Sequence, residues 1–190
     1  MKASSLDRFR QYRSRRDVRC AAKATTEAVL RDCIEIYATT EGLAVRLATE
    51  RGAGIFELFA VRRCLGEMER LFVGGTGTAR ELSDYAVLHR HFHALLRQLS
   101  GSPLLIHQFG PDMFPDDPGQ LLISGSASWS ALAAAQAQRR AIVDAIERGQ
   151  AETAEALMSE HVRQVFGALL ARSSSDSPPQ PASGRRSMGK

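Results

Sequence analysis

Apolar side chains recur at steps of three and four residues along most of this chain, and this spacing limits the fold more than any other feature. Strict apolar-polar alternation, the pattern of a half-buried strand, persists nowhere. The sequence therefore predicts an all-α fold, an antiparallel bundle of about six to seven helices. The apolar stripes of the predicted helices are, in chain order, Val29, Cys33, Ile36, Thr40, Leu43 and Leu47; Leu58, Val61, Leu65, Met68 and Phe72; Tyr85, Leu88, Phe92, Leu95 and Leu99; Leu132, Ala135, Arg139, Ile142, Val143 and Ile146; and Ala154, Leu157, His161, Val165 and Leu169.

The ends of the chain differ from its middle in charge and composition. Residues 1–25 carry a net charge of +6 and form a predicted basic arm, which can touch nucleic acid or an acidic surface but is more often only solvated. Residues 172–190 are rich in Ser, Pro and Gly and are expected to be disordered. The body, residues 26–171, is acidic at −5 and is predicted to form one helical domain.

Three further features bear on where the protein works. No apolar run approaches the ~20 residues of a membrane span, and the basic N-terminus lacks the apolar stretch of a secretory signal. Cys20, Cys33 and Cys64 are odd in number and widely spaced, which favours reduced, core-filling thiols. We therefore expect a cytoplasmic protein that does not contact a membrane.

Four polar side chains fall on or beside the apolar stripes. His89 and His93 lie four residues apart on one helical face, Arg139 lies within the next long stripe, and His161 within the last. Burying such groups without partners costs about 1–3 kcal/mol each. The sequence therefore predicts that they converge on a central polar ligand cavity, with a structural network as the alternative. The loop-like segment 110–126 is expected to wall or cover that cavity.

Three segments resemble the FCD effector-binding domain of GntR-family transcriptional regulators. They are EIYATTEGLAVRLATER (35–51), FHALLRQLSGSPLL (92–105) and RRAIVDAIERGQAETAEALMSEHV (139–162), and the resemblance spans residues 27–170. It implies an all-α domain that binds a small effector, forms a homodimer and follows a winged helix-turn-helix. Residues 1–25 offer no three-helix pattern, so DNA contact is expected only through a winged helix missing from this chain. A late start site, a frameshift and a natural stand-alone domain remain open as reasons.

The resemblance also implies a metal site, from which this sequence departs. Family members typically hold a divalent metal with an Asp and a His four residues apart and one His on each of two later helices. His93 and His161 match that pattern, whereas His89 stands where the Asp is usual and Arg139 where the remaining His is usual. Tyr37 occupies the place of an Arg found in many members.

Two alternatives follow for the predicted site. His89, His93 and His161 can hold zinc or nickel, or the guanidinium of Arg139 can grip a carboxylate without any metal. The effector-binding residues are expected to be these four and Tyr37.

The leading interpretation is a non-catalytic, ligand-sensing and dimerising domain of a transcriptional regulator that binds a small organic acid. A stand-alone metal-binding enzyme is one alternative. A dimerisation module that inhibits a full-length regulator is the other.

Overall fold

The fold is a bundle of α-helices, as the apolar spacing predicts. The computed structural model describes residues 27–108 and 128–175, and within these ranges the regular structure is entirely helical. The helices are α1 (Glu27–Glu50), α2 (Ile55–Phe72), α3 (Ala79–Leu99), α4 (Pro103–Gln108), α5 (Trp129–Glu147) and α6 (Ala151–Ser175). The prediction of an all-α bundle is confirmed.

Some predictions concern residues outside the described ranges. The basic arm, Cys20, the whole of the predicted loop 110–126 and nearly all of the C-terminal tail lie there. Helix α6 ends at Ser175, past the predicted domain boundary at residue 171. Cys64 is buried, as expected of a core-filling thiol, whereas Cys33 is only half-buried.

The turn between α5 and α6 fixes how the last two helices pack. Gly149 adopts a φ of 69°, which glycine reaches without a steric penalty. The Gly149 N–H donates to the Ile146 carbonyl at 3.0 Å, and the Gln150 N–H donates to the Ala145 carbonyl at 2.9 Å. This pair of bonds ends a helix in a sharp reversal. Helix α6 therefore starts immediately and packs back along α5.

Helix α1 packs along α6 and also contacts α3 and α5, while α2 packs on α3 and α5. Ion pairs tie the outer edges together: Arg62 of α2 donates to Glu147 and Asp144 of α5, and Arg163 of α6 pairs with Glu35 of α1. All five long helices contribute side chains to the apolar centre. Its fully buried members include Val45, Ala48, Val61, Met68, Phe92, Leu96, Ile142, Val143, Ala154 and Met158.

The apolar stripe predicted for α1 is wrong. Ile36, placed in that stripe, is 50% exposed, while Tyr37, Glu41 and Val45 are buried. The buried face of α1 is rotated about the helix axis relative to the predicted one. The prediction followed the large aliphatic side chains, whereas the buried face carries a tyrosine, several alanines and a charged residue. This rotation places Glu41 inside the bundle.

A glycine allows α1 and α6 to cross closely. A Cβ atom on Gly42 would overlap the Oγ of Ser159 and lie 3.1 Å from the Glu155 carbonyl oxygen. The Ser159 hydroxyl is held in place because it donates to the Ala38 carbonyl at 3.1 Å. The crossing therefore leaves no room for a side chain at position 42.

Among the described helices, none combines the length and the apolar character needed to cross a membrane.

We predict that Gly42→Val lowers the free energy of unfolding by roughly 1–3 kcal/mol, because the added methyl groups overpack the α1–α6 crossing. Gly66→Ala in α2 is the matched control, since a Cβ there meets nothing within 4 Å. That change should raise stability by about 0.5–1 kcal/mol through helix propensity. Urea denaturation measures both, and equal effects of the two variants would contradict the close crossing.

Candidate functional site

Helix α3 places a row of three rings on its buried face. Tyr85, His89 and His93 succeed one another at four-residue steps, and each is at most 2% exposed. The ring centroids of Tyr85 and His89 are 5.9 Å apart, and those of His89 and His93 are 4.6 Å apart. The two imidazoles predicted to share a ligand are therefore neighbours inside the bundle.

Arg139 enters the same region from α5. Its side chain is fully buried, and its Cζ atom lies 5.7 Å from the centroid of the Tyr85 ring. Burial raises the pKa of Tyr85, and a polar contact between its hydroxyl and the guanidinium opposes that rise. The Arg139 Nη1 donates to the Gln136 Oε1 at 2.9 Å, whereas Nε and Nη2 have no partner of regular hydrogen-bond geometry. Those two nitrogens form the side-on edge of the guanidinium, the edge that binds both oxygens of a carboxylate.

Two more polar atoms beside Arg139 also lack partners. They are the Tyr85 hydroxyl and the Gln136 Nε2, both buried. Three of the four unpartnered atoms in this region are nitrogens that only donate, and the hydroxyl can donate as well. The arrangement therefore presents hydrogen-bond donors and one positive charge, which is the complement of an anion.

His161 approaches from α6 and is 2% exposed. Its Nδ1 lies 2.7 Å from the Gln138 Oε1. Burial lowers the pKa of His161 well below its usual range, and the positive charge of Arg139 lowers it further. Burial likewise lowers the pKa of His89, and His93, Arg139 and His161 add to that effect. The structure thus brings the four predicted polar residues together from three helices, although their role in binding stays a prediction.

Glu41 is the buried charge that the sequence analysis missed. It is 0% exposed on α1, with Oε2 2.7 Å from the His93 Nδ1 and Oε1 accepting from the Arg97 Nη1 at 2.5 Å. Burial alone would raise the pKa of this carboxyl, but His93 and Arg97 outweigh burial and lower it. A signal was present in the sequence: Glu41 is spaced four residues from both Tyr37 and Val45.

Tyr37 also lies at this cluster. Its ring centroid is 5.9 Å from that of His93 and 5.7 Å from that of Phe166. The tyrosine therefore packs between α3 and α6 at the end of the row of rings, next to His93 and away from Arg139.

These residues do not fit a bound divalent metal. Within residues 27–108 and 128–175, no three His, Cys, Asp or Glu side chains are placed to hold a metal ion. The guanidinium of Arg139 is also close enough to His89 and His161 to lower the pKa of both. A fixed positive charge at this position repels a dication. The cation already present in the cluster is the guanidinium.

The fold is thus a helical bundle with a buried, donor-rich polar cluster at its centre. Residues 32–164 match the FCD domain family, and the chain belongs to that family. It is the FCD domain of a GntR-type transcriptional regulator, a family of effector-sensing proteins rather than of enzymes.

Solved structures agree with this fold. Eight chains match, among them McbR/YncC of E. coli, with a TM-score of 0.65 and 16% sequence identity. The alignment covers 78% of this chain and 67% of the McbR/YncC chain. At this identity the likeness shows the fold alone. The search of curated protein sequences found no match.

We predict that acid destabilises the protein through its neutral buried imidazoles. Below pH ~6.5 unfolded His89 binds a proton that folded His89 does not, so the stability present above that pH is lost as the pH falls. His89→Gln should therefore lose less stability than the parent between pH 7 and 5, by up to about 1.4 kcal/mol per pH unit.

The matched control is His91→Gln, the same change at an exposed position on the same helix. It should follow the parent protein in urea denaturation at each pH. A pH dependence that is identical in the parent and in both variants would show that His89 is not held neutral.

Proposed function

We propose that this chain is the effector-sensing and dimerising domain of its regulator, and that the effector is a small organic acid held by Arg139. The observation that supports this most is the unpartnered side-on edge of a fully buried guanidinium. Leaving buried donors of a charged group without partners costs about 1–3 kcal/mol or more. A carboxylate would satisfy both nitrogens and neutralise the charge.

The side chains around the Arg139 guanidinium favour a small, negatively charged ligand. The Tyr85 hydroxyl and the Gln136 Nε2 are free to donate beside the guanidinium. His89 and His161 are neutral at physiological pH because their pKa values are lowered, so they add no competing charge. The proposed effector-binding residues remain Arg139, His89, His93 and His161, with Tyr37 at the edge of the cluster.

We propose further that the acid binds without a metal. Arg139 supplies the positive charge that zinc or nickel supplies in metal-containing members of the family. Because a guanidinium is charged at all accessible pH values, chelators should not change effector affinity. Stoichiometric zinc that survives dialysis and is required for effector binding would contradict this part of the proposal.

The regulatory consequence follows from a difference in affinity. An effector that binds one arrangement of two FCD domains more tightly than another shifts the equilibrium between them. DNA would be contacted by a winged helix of the regulator, which operates in the cytoplasm. In this proposal the bundle senses the acid and the arrangement of the two bundles transmits the signal.

The homodimer has a candidate surface on α2. Ile55, Phe56 and Phe59 are 83%, 88% and 67% exposed, and apolar side chains clustered in this way mark association surfaces. We predict that the purified chain sediments as a dimer and that Phe56→Ser shifts it toward the monomer. Sedimentation velocity measures both, and a purely monomeric parent at micromolar concentration would contradict the dimer.

We predict that Arg139→Met weakens the binding of carboxylate effectors by about 2–5 kcal/mol, which is the cost typical of breaking a buried charge pair. Methionine keeps much of the side-chain volume, so the bundle should fold with equal or higher stability. Isothermal titration calorimetry with a panel of small organic acids measures the affinity, and thermal unfolding measures the stability.

The control for this prediction is Arg140→Met. Arg140 is the next residue on α5, but it lies on the surface and pairs with Glu69 at 3.0 Å. Its loss should leave effector affinity unchanged. If Arg139→Met binds every acid as tightly as the parent and Arg140→Met do, Arg139 is not the carboxylate clamp.

A further inference from the structure

The guanidinium of Arg139 is enclosed, so an acid that binds it needs a way in. Arg139 and Tyr85 are 0% exposed, and the imidazoles of His89 and His161 are 2% exposed. All four residues lie within long helices, so an opening made at any of them would separate packed helices. The rings that continue outward from Tyr85 provide a route that leaves the helices in place.

A row of aromatic rings runs from Arg139 to the end of the bundle where α2 ends and α5 begins. The Arg139 Cζ lies 5.7 Å from the centroid of the Tyr85 ring, and the Phe72 ring meets the Tyr85 ring edge to face at 5.7 Å. The centroid of the Trp129 ring is 4.4 Å from that of Phe72. Tyr85 is buried, whereas Phe72 and Trp129 are half-buried. The row therefore connects the buried guanidinium with the surface.

The two outer rings of this row belong to residues at helix ends. Phe72 is the last residue of α2, and Trp129 is the first residue of α5. Helix α5 begins without help from the indole, because the Ser128 hydroxyl caps it by accepting from the Ala131 N–H. The two rings can therefore turn about their side-chain bonds while both helices keep their backbone hydrogen bonds.

The indole of Trp129 lies on the glycine-rich turn between α2 and α3. Its Nε1 donates to the Gly75 carbonyl at 3.1 Å. A Cβ atom at Gly77 would lie 3.0 Å from the Trp129 Cβ and 3.1 Å from its Cγ, so a side chain there would crowd the indole. The φ of Gly77 is 77°, which favours glycine. The turn therefore fits the indole closely, and the single indole N–H binds it there.

Glu81 holds the same turn on α3. Its carboxylate accepts from the Thr78 N–H at 2.7 Å and from the Thr78 hydroxyl at 2.9 Å. These bonds lower the pKa of Glu81, and the N–H groups of Thr76 and Gly77 lower it further. None of these bonds involves Trp129. The indole can therefore leave the turn while the turn keeps its shape.

We propose that Trp129 and Phe72 form a gate through which the effector reaches Arg139. In the closed state, which this structure shows, the indole is bonded to Gly75 and packs on Phe72, and Phe72 packs on Tyr85. In the open state both rings turn outward, so that the guanidinium meets the solvent. The inference rests on the proposed function, because it assumes that an acid binds at Arg139.

Hydrogen exchange of the Arg139 Nε–H tests the gate without any ligand. Nuclear magnetic resonance of the whole chain, labelled with nitrogen-15 arginine, shows this signal, and its loss in Arg139→Met assigns it. Trp129→Phe keeps a ring beside Phe72 but has no N–H for the Gly75 carbonyl. We expect it to speed the exchange about fivefold, which corresponds to one net hydrogen bond. Phe72→Leu, which removes the second ring, should also speed the exchange.

Low concentrations of urea distinguish a local gate from unfolding of the bundle. Turning two side chains exposes little surface, so exchange of the Arg139 Nε–H should not depend on urea. Exchange of the Ile142 backbone N–H, in the centre of α5, should depend on urea because it requires unfolding. Equal urea dependence of the two signals would overturn the inference.

Phe166→Leu is the matched control variant. It also shortens an aromatic side chain of the core, but Phe166 packs on Tyr37, away from the row that leads to Arg139. It should leave exchange of the Arg139 Nε–H at the parent rate. The gate is wrong if Trp129→Phe and Phe72→Leu also exchange at the parent rate, or if Phe166→Leu exchanges as fast as they do.

Binding kinetics show whether a failure lies in the gate or in the proposed function. The probe is carbon-13-labelled 2-hydroxybutyrate, whose association and dissociation rates are measured by exchange spectroscopy. Trp129→Phe should raise both rates by the same factor and leave Kd within twofold, because the indole bond closes the gate in the empty and in the occupied protein. A change in only one rate would overturn the gate. If no small organic acid binds while the exchange results hold, the proposed effector is wrong and the gate stands.

Discussion

The buried guanidinium of Arg139 is the interaction on which the rest of this structure depends. A fully buried cation is costly to fold around, and only one of its three nitrogens has a partner. Burial lowers the pKa of both His89 and His161, and the charge of Arg139 lowers both further, which keeps the two rings neutral. In the proposed function the guanidinium also takes the place of a metal, because the centre of the bundle already holds a cation. An anionic effector would accept hydrogen bonds from the two unpartnered nitrogens of the guanidinium, Nε and Nη2.

A second buried charge is balanced differently. Glu41 lies between His93 and Arg97 and has partners on both oxygens, so this part of the cluster is complete without a ligand. The core therefore holds two kinds of buried polar group, one with all its partners and one without. The trio around Glu41 fixes the orientation of an imidazole, whereas the group around Arg139 retains unsatisfied donors. Only the group around Arg139 has buried donors that a bound ligand would satisfy.

The all-α fold could be predicted from the sequence because apolar residues recur regularly at three- and four-residue steps and glycines separate the predicted helices. The inward placement of His89 and Arg139 followed from the same spacing, since Arg139 lies within an apolar stripe and His89 lies beside one. Glu41 did not follow, because a carboxylate between alanines looks like a solvated residue until its counter-charges on α3 are known. The free edge of Arg139 also needed the structure, since spacing predicts burial but not which nitrogens find partners.

The central claim is that the cation of this site is the guanidinium, and a crystal structure with a bound acid tests it most directly. Crystals grown with 2-hydroxybutyrate and zinc, with diffraction measured on both sides of the zinc absorption edge, locate acid and metal together. The account predicts carboxylate oxygens within hydrogen-bond distance of the Arg139 Nε and Nη2, and no anomalous peak inside the bundle. A zinc peak between His89, His93 and His161, with the acid bound to it, would contradict the account.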